Sequence, residues 1–187
     1  MTYFPFPNIG KGRPGVGEVG TTVFSVPEGT LPFWEQRFAE QGVTGLSRGE
    51  KFGEKRLAFT GPDNDGFALV EAKSDDRAPW AKGGVPDDDA IRGFHSVSLR
   101  LRDGGATEEL LKFMGYEEVD RSDNTRRLAI KDGNGADVVD IETLPGANFA
   151  GLGAGSVHHV AFAVENREKQ LEVRKALMDT GYQVTPV

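Results

Sequence analysis

Two adjacent histidines are the side chains of this sequence best suited to chemistry. His158 and His159 open an alternating apolar run, VHHVAFAV, in a chain that has three histidines in all. The imidazole ring binds metal ions and transfers protons near neutral pH. Because successive side chains of a strand point to opposite faces, the two rings are expected to have different surroundings. The pair alone is weak evidence for a metal site, since an exposed or hydrogen-bonded histidine is the ordinary alternative.

The element that carries the histidines is the third copy of a recurring pattern. Each copy begins with an alternating strand, continues into an amphipathic helix and has a glycine where the helix ends. The predicted strands cover 19–26, 94–103 and 157–166, and the glycines are Gly42, Gly115 and Gly181. A glycine at that point supplies the left-handed residue that ends many helices. The repetition predicts a chain built from small strand–helix modules.

In the first two copies, the residues after the helix predict antiparallel hairpins. KRLAFTG and FALVEAK flank the turn PDNDG in the first copy, and TRRLAIKD and ADVVDIE flank GNG in the second. Alternating strands around Asp, Asn and Gly are typical of hairpins. A complete module is therefore predicted as a strand, a helix and two or three antiparallel strands. Segments rich in Gly, with Pro and Asp, separate the copies as a linker (74–90) and a flexible connector (144–156).

Composition excludes several function classes. The 187 residues carry a formal net charge of −7 and no cysteine, so thiolate metal sites and cysteine nucleophiles are absent. No basic stripe indicates a nucleic-acid partner, and no apolar run is long enough to span a bilayer. The opening residues, MTYFPFPNIG, lack the pattern of a secretory signal. We therefore expect a cytoplasmic globular protein without nucleic-acid or membrane partners.

The sequence resembles the vicinal oxygen chelate superfamily, which includes glyoxalases, bleomycin-resistance proteins and extradiol dioxygenases. The modular order carries the resemblance, and FSVPEGTLPFW, GFHSVSL and SVHHVAFAVEN are similar to a four-module branch, the hydroquinone-type ring-cleaving dioxygenases. The resemblance implies an α+β fold in which repeated βαβββ modules form mixed, curved half-barrel sheets with helices on the outside. It divides the chain into the tail of a missing first module (1–16), the second module with its linker (17–84), the third module (90–145) and an incomplete fourth module of strand and helix (153–187).

The resemblance also assigns a metal-ligand position to each copy. That position falls on Thr21, Ser96 and His159, so only the third copy has a ligand-type residue there. His159 is thus implied as a metal ligand, and His158 as a catalytic histidine that hydrogen-bonds the substrate or assists proton transfer. In that branch, a histidine of the first module and a glutamate of the fourth complete a two-histidine, one-carboxylate site for Fe(II). No residue is implied for binding an organic cofactor.

The implied function is that of a portion of a dioxygenase that cleaves hydroquinone- or catechol-type rings with Fe(II) and O₂. The expected partners are a small aromatic diol, O₂ and a second copy of the chain, through homo-oligomerisation or a domain swap. Two alternatives remain open: a glyoxalase I-like isomerase and a non-catalytic module that binds small molecules. Zn, Ni and Mn are the alternative metals, and a chain that binds none is a further possibility. With one residue at a ligand position, the chain alone is expected to be inactive.

A second cleft is a weaker candidate for a metal site. Glu71 and Asp140 are expected at corresponding positions of two modules, where they would line a cleft together with Thr21 and Ser96. Two carboxylates without a histidine suit neither iron nor zinc well. His95 is interpreted as structural, because Ser96 occupies the ligand position beside it. The glycine-rich GKGRPGVGEVG lacks the preceding strand and the Lys–Ser/Thr ending of a phosphate-binding loop.

Overall fold

The computed structural model describes every residue of the chain, Met1–Val187. The residues form two compact units, 1–157 and 158–187. The first unit contains all eight strands and two of the three helices, and the second unit contains the third helix. None of the helices has the length and apolarity that a membrane crossing requires.

The first unit is built from two successive βαβββ modules. Module A comprises β1 (Glu18–Pro27), α1 (Leu31–Glu40), β2 (Thr44–Lys51), β3 (Glu54–Thr60) and β4 (Gly66–Ala72). Module B comprises β5 (Gly93–Leu101), α2 (Gly105–Phe113), β6 (Glu117–Ser122), β7 (Thr125–Ala129) and β8 (Val138–Thr143). The first two copies of the sequence pattern therefore have the same order of elements in the structure.

All eight strands belong to one mixed, curled sheet in the order β2-β3-β4-β1-β5-β8-β7-β6. Within each module the first and last strands pair in parallel, β1 with β4 and β5 with β8. The two modules join where β1 and β5 run antiparallel, with Val23 opposite Ser96. The α+β class and the mixed half-barrel sheet implied by the resemblance are confirmed.

Each module packs its helix against one face of the sheet, called the helix face below. The module A core consists of apolar side chains that α1 and the strands direct to this face: Val26, Leu31, Trp34, Leu57 and Leu69. The module B core is formed in the same way by Leu111, Tyr116, Leu128, Val139 and Ile141. Full burial of such a side chain contributes about 1.5–3 kcal/mol. The modules thus share a sheet while each has its own core.

The segment predicted as a linker between the modules is irregular but docked. Val85 and Ala90 are buried and belong to the module A core. The indole Nε1 of Trp34 donates a hydrogen bond to the backbone carbonyl of Asp89 at 2.8 Å. A buried indole N–H needs such an acceptor, so this segment completes the core instead of merely spanning the gap.

Two glycine-rich segments, residues 10–17 and 148–156, pair through their backbones and are called the glycine clamp below. Backbone hydrogen bonds run in both directions between Arg13 and Gly151, and the carbonyl of Ala154 accepts another from the N–H of Gly12. A Cβ on Gly153 would lie 2.5 Å from the carbonyl oxygen of Gly10, so a residue without a side chain is required there. The connector predicted to be flexible is therefore held in place by the clamp.

The second unit consists of an irregular segment followed by α3 (Arg167–Asp179). The side chain of Asn166 accepts a hydrogen bond from the backbone N–H of Lys169 at 2.9 Å and caps the helix. None of the side chains of α3 is buried. The predicted helix is confirmed, but the strand predicted at 157–166 is wrong, since these residues form no β-ladder. An alternating sequence becomes a strand only where a neighbouring strand takes up its backbone hydrogen bonds.

Replacing Gly153 by alanine should destabilise the first unit. The new methyl group would meet backbone atoms across the glycine clamp, and overpacking of this kind costs about 1–3 kcal/mol of unfolding free energy. Gly146→Ala is the matched control, because nothing lies within 4 Å of its added Cβ; its effect should stay within about 0.5 kcal/mol. Urea unfolding followed by tryptophan fluorescence measures both variants. Equal midpoints for the two would refute the requirement for glycine.

Candidate functional site

His158 and His159 are both exposed and lie against each other at the start of the second unit. Their Nδ1 atoms are 2.9 Å apart, so one ring donates a hydrogen bond and the other accepts it. The ring centroids are 5.2 Å apart and the ring planes make an angle of 87°. The structure therefore brings the two predicted site residues together and couples the tautomer of one ring to that of the other.

The histidine pair does not by itself make a metal centre. Catalytic zinc and non-haem iron centres use three protein ligands. No group of three or more His, Asp or Glu side chains in the chain is arranged to hold an ion. The residues of this chain therefore do not fit a complete centre, and the role of His159 as a ligand stays a prediction.

A cluster of charged side chains lies on the sheet face opposite the helix face. Asp140 alternates in β8 with the core residues Val139 and Ile141, so its side chain points away from them, and it is only 1% exposed. Arg127 lies directly opposite Asp140 in the β7–β8 ladder. Its Nε and Nη2 atoms donate to the two carboxylate oxygens at 2.8 and 3.0 Å. This two-point contact is the strong form of a charged hydrogen bond.

Module A reaches the same place through the tip of its β2–β3 hairpin. Glu54 accepts a hydrogen bond from Nη1 of Arg127 at 2.6 Å and lies 3.1 Å from Nε2 of His95. Phe52, at the tip, has a φ of +56° and places its ring centroid 4.2 Å from the guanidinium carbon of Arg127. The guanidinium is thus enclosed by two carboxylates and an aromatic ring. Glu54, His95, Arg127 and Asp140 are called the Arg127 cluster below.

Hydrogen bonds and charges within the Arg127 cluster keep Glu54 and Arg127 ionised. Burial raises the pKa of the Glu54 carboxyl group, but the hydrogen bonds with His95 and Arg127 outweigh it and hold the pKa at about 2. Burial lowers the pKa of the Arg127 guanidinium, while Asp140 and Glu54 raise it above its usual value. Both groups therefore stay ionised at neutral pH. The other ring nitrogen of His95, Nδ1, is 3.1 Å from Ser96 Oγ, which supports a structural role for this histidine.

Glu71 and Asp140 do not occupy corresponding positions, contrary to the prediction. In β4, Glu71 follows the core residue Leu69 by two positions, so its side chain points to the helix face. Asp140 lies between the core residues Val139 and Ile141 and points to the opposite face. The alternation of each strand about its core residues decides this, and the spacing of acidic residues in the sequence does not reveal it.

Glu71 instead accepts hydrogen bonds from backbone N–H groups at the start of α1. Its Oε1 atom accepts hydrogen bonds from the backbone N–H groups of Gly29 and Leu31, at 2.9 and 3.3 Å. The first N–H groups of a helix have no partner within it, and a carboxylate there is also favoured by the helix dipole. Glu71 therefore stabilises α1, and the pair of acidic ligands considered for the second cleft does not form.

A cleft of about 1090 Å³ opens beside the Arg127 cluster. The residues that line it come from both modules and the linker and include Phe52, Glu54, Arg77, His95 and Asp137. At its rim, Arg77 donates to both carboxylate oxygens of Asp75 and to Ser25 Oγ. These hydrogen bonds from Arg77 lower the pKa of Asp75 below its usual value. Arg77 and Asp75 therefore form an ion pair at the rim of the cleft.

Comparison with curated proteins shows similarity along nearly the whole chain. The protein named "Putative ring-cleaving dioxygenase MhqE" of Bacillus subtilis (strain 168) is 36% identical over 170 residues, which are 90% of this chain and 55% of the relative. The chlorohydroquinone/hydroquinone 1,2-dioxygenase of Sphingobium indicum is 33% identical over 192 residues, 97% of this chain and 58% of the relative. The chain thus spans little more than half the length of these relatives. No family model matches it.

Solved structures agree on the fold. A crystal structure of a "putative dioxygenase" from Bacillus subtilis has a TM-score of 0.89 and 32% identity, over 98% of this chain and 59% of that one. Glyoxalase I from Zea mays has a TM-score of 0.52 and 16% identity, over 78% of this chain and 49% of that one, a likeness of fold alone. The chain belongs to the vicinal oxygen chelate superfamily. Within that superfamily it resembles the ring-cleaving dioxygenases in sequence.

Sequence reasoning singled out His95 and Asp140 but missed Glu54 and Arg127. A signal for Arg127 existed: once the β7–β8 hairpin is closed, it faces Asp140, and opposite charges across a hairpin attract. Glu54 gave no such signal, because its partner Arg127 is 73 residues away along the chain. In this vicinal oxygen chelate chain, the guanidinium of Arg127 therefore lies beside the cleft between modules A and B and links the two modules through Glu54.

Acid should weaken the first unit through Glu54. Its pKa in the folded protein lies below the ordinary value of 4.5, at about 2. A lowered pKa contributes stability that is complete above the unfolded value and is lost as the pH falls through the folded value. The unfolding free energy should therefore fall between about pH 5 and about pH 2, and Glu54→Gln should flatten that fall. Urea unfolding at a series of pH values measures the slope.

Glu35→Gln is the control for this experiment. Glu35 pairs with Arg48 at 2.7 Å, but both side chains are close to half exposed, and exposed ion pairs contribute little to stability. This variant should keep the slope of the wild-type protein. If Glu54→Gln also kept that slope, Glu54 would not be responsible for acid sensitivity.

Proposed function

We propose that the chain is a portion of an extradiol ring-cleaving dioxygenase that uses Fe(II) and O₂ on hydroquinone- or catechol-type aromatics. The observation that carries the proposal is the similarity of nearly the whole chain to relatives whose names state ring cleavage, including one named for hydroquinone. The structure contributes the fold, in which two modules of the superfamily share one sheet.

His159 is proposed as the metal ligand and His158 as its catalytic neighbour. The exposed position of both rings leaves them accessible to groups outside the chain. The hydrogen bond between their Nδ1 atoms couples the two tautomers, because the ring that donates carries its proton on Nδ1 and the other ring accepts there. A histidine held in one tautomer can donate to, or accept from, a substrate hydroxyl group. We therefore propose that His158 transfers protons to or from the substrate and that His159 binds the metal ion.

The remaining ligands of such a centre have to come from outside residues 1–187. A facial centre for Fe(II) takes two histidines and a carboxylate, and no third donor joins the histidine pair in this chain. The Arg127 cluster does not supply one, because its carboxylates already hold a guanidinium. We accordingly propose that the chain acts only together with a further polypeptide segment.

The isolated chain should bind Fe(II) weakly and leave oxygen unconsumed. A single ligand position with one neighbouring ring gives too few donors for a tight centre. Iron titration under anaerobic conditions, followed by an oxygen electrode with hydroquinone, measures both properties. Iron binding at micromolar concentration together with oxygen uptake by the isolated chain would overturn the proposal of outside ligands. Turnover of a methylglyoxal–thiol adduct with Zn²⁺ or Ni²⁺ would instead establish the isomerase alternative.

When the missing ligands are supplied, substitutions of the two histidines should have different effects on iron binding and on activity. His159→Ala should abolish iron binding, whereas His158→Ala should keep the iron and lose about 10–100-fold in activity, as changes next to a ligand do. Gln170→Ala, an exposed substitution on α3, is the control and should change neither property. Loss of iron in His158→Ala with retention in His159→Ala would reverse the assignment.

The second unit is proposed to associate with another copy of the chain, as a dimer or a domain swap. Its apolar side chains are unusually exposed; Phe162, Val164, Leu171, Met178 and Tyr182 each keep at least 43% of their surface accessible. Exposed apolar side chains in such number favour association. No side chain of α3 is buried by the chain itself, and its exposed apolar side chains Leu171 and Met178 are available to a partner.

Light scattering should therefore show a species larger than the monomer. Leu171→Glu together with Met178→Glu should shift it towards the monomer, because both substitutions place charge on the apolar surface. Lys169→Glu changes an exposed residue that helical spacing places on the side of α3 away from Leu171 and Met178, and it should leave the species unchanged. A monodisperse monomer of the wild-type chain would rule out this association.

A further inference from the structure

Lys51 differs from the other lysines of the chain in its exposure. Of the nine lysines, eight are exposed, whereas Lys51 is half-buried at the end of β2. Its Nζ atom lies 5.6 Å from the ring centroid of Phe52. Lys112, Lys169 and Lys175 each form an ion pair with a carboxylate on their own helix, and Lys51 forms none. The amino group of Lys51 is thus partly shielded from water without a carboxylate in direct contact.

The surroundings of Lys51 favour its uncharged form. Four charged side chains act on it: Arg56 on β3, Arg127 on β7, and Asp140 and Glu142 on β8. Both carboxylates also interact with other cations, because Asp140 binds Arg127 and Glu142 lies 3.5 Å from Arg100. Burial has the largest effect and, with the two guanidinium groups, lowers the pKa of Lys51 below its usual value against the attraction of the carboxylates. More of this amine is therefore uncharged at neutral pH than of an ordinary exposed lysine.

Lys51 lines a cleft between the tips of the β2–β3 and β6–β7 hairpins. The cleft has a volume of about 430 Å³, and small-molecule sites typically have volumes of about 300–1,000 Å³. Ser122 and Asn124 contribute a hydroxyl and an amide group to the lining, and such groups hydrogen-bond the hydroxyl groups of a ligand. The amine therefore borders a space of the size and polarity that a small polar molecule needs.

Carboxylates in the lining restrict the charge of such a molecule. Glu50, Asp123 and Glu142 line the cleft together with Lys51 and Arg56. When Lys51 is uncharged, three carboxylates and one guanidinium remain, so the cleft disfavours an anion. An uncharged amine reacts with an electrophilic carbon, and an aldehyde offers one without carrying a charge.

We propose that Lys51 is a covalent binding site for a small, polar, uncharged aldehyde that enters this cleft. The amine nitrogen adds to the carbonyl carbon, both amine protons leave with the carbonyl oxygen as water, and a C=N double bond results. Nothing is oxidised or reduced in this step. Lysines that are desolvated or lie beside other cations are activated for imine formation of this kind. The proposal concerns the first unit alone and does not depend on the function proposed for the histidine pair.

The test maps adducts on the wild-type chain after a short reaction with glycolaldehyde, with cyanoborohydride present to trap the imine. Digestion and mass spectrometry give the rate of modification at each lysine. Lys51 should be modified several-fold faster than Lys55, the matched control, which is exposed on the same hairpin. The excess should shrink at alkaline pH, where both amines are uncharged, and disappear in urea, where the cleft is lost.

Glyoxylate tests the charge of the cleft, because it is similar in size to glycolaldehyde but carries a carboxylate. Its preference for Lys51 over Lys55 should be much smaller. Lys51→Arg keeps the positive charge without the reactive amine, so it should abolish the fast phase of adduct formation and leave the slower modification of Lys55.

Equal rates at Lys51 and Lys55 in the folded chain would overturn the proposal, as would an excess at Lys51 that persists in urea or a fast phase that survives Lys51→Arg. An undiminished preference for Lys51 with glyoxylate would overturn the assignment of an uncharged aldehyde. The adduct map of the wild-type chain decides the matter even if Lys51→Arg does not fold.

Discussion

The buried carboxylate of Asp140 is the constraint that organises the sheet face opposite the helices. Removing a charge from water is costly unless an opposite charge and hydrogen bonds compensate for it. Arg127 provides both through its two-point contact, and Glu54 and His95 complete the set. Loss of one partner from a buried pair of this kind typically costs about 3–5 kcal/mol. Ion pairs therefore stabilise the sheet face opposite the helices, in addition to the apolar packing on the helix face.

This constraint also ties the two modules together. The antiparallel pairing of β1 with β5 already makes them one sheet, but each module keeps a separate apolar core. The hairpin tip of module A, with Phe52 and Glu54, reaches the guanidinium of module B. An interaction across the modules thus depends on the conformation of a two-residue turn, where Phe52 and Gly53 both have positive φ values, as hairpins of this length require.

The duplicated modules have diverged in chemistry while they keep their element order. Module A has the apolar residues Ala68 and Val70 on the face where module B has Asp140, and Glu71 accepts hydrogen bonds at the start of α1. A repeat in the sequence predicts the elements because hydrophobic period and turn residues are local properties. It does not predict which copy keeps a charged side chain at an inward position, since that depends on the register between strands. His159, the residue proposed as a metal ligand, lies outside both modules.

By itself, the sequence determined the strand–helix–hairpin order of both modules, the absence of thiol chemistry and the family that the chain belongs to. These follow from local patterns of apolar, turn and capping residues and from motifs that keep their spacing. Only the tertiary structure decided that Glu54 reaches Arg127, that the glycine-rich segments form a clamp and that residues 157–166 form no strand. Each of these depends on which distant segment lies alongside, because a backbone hydrogen bond or an ion pair needs its partner within about 3 Å.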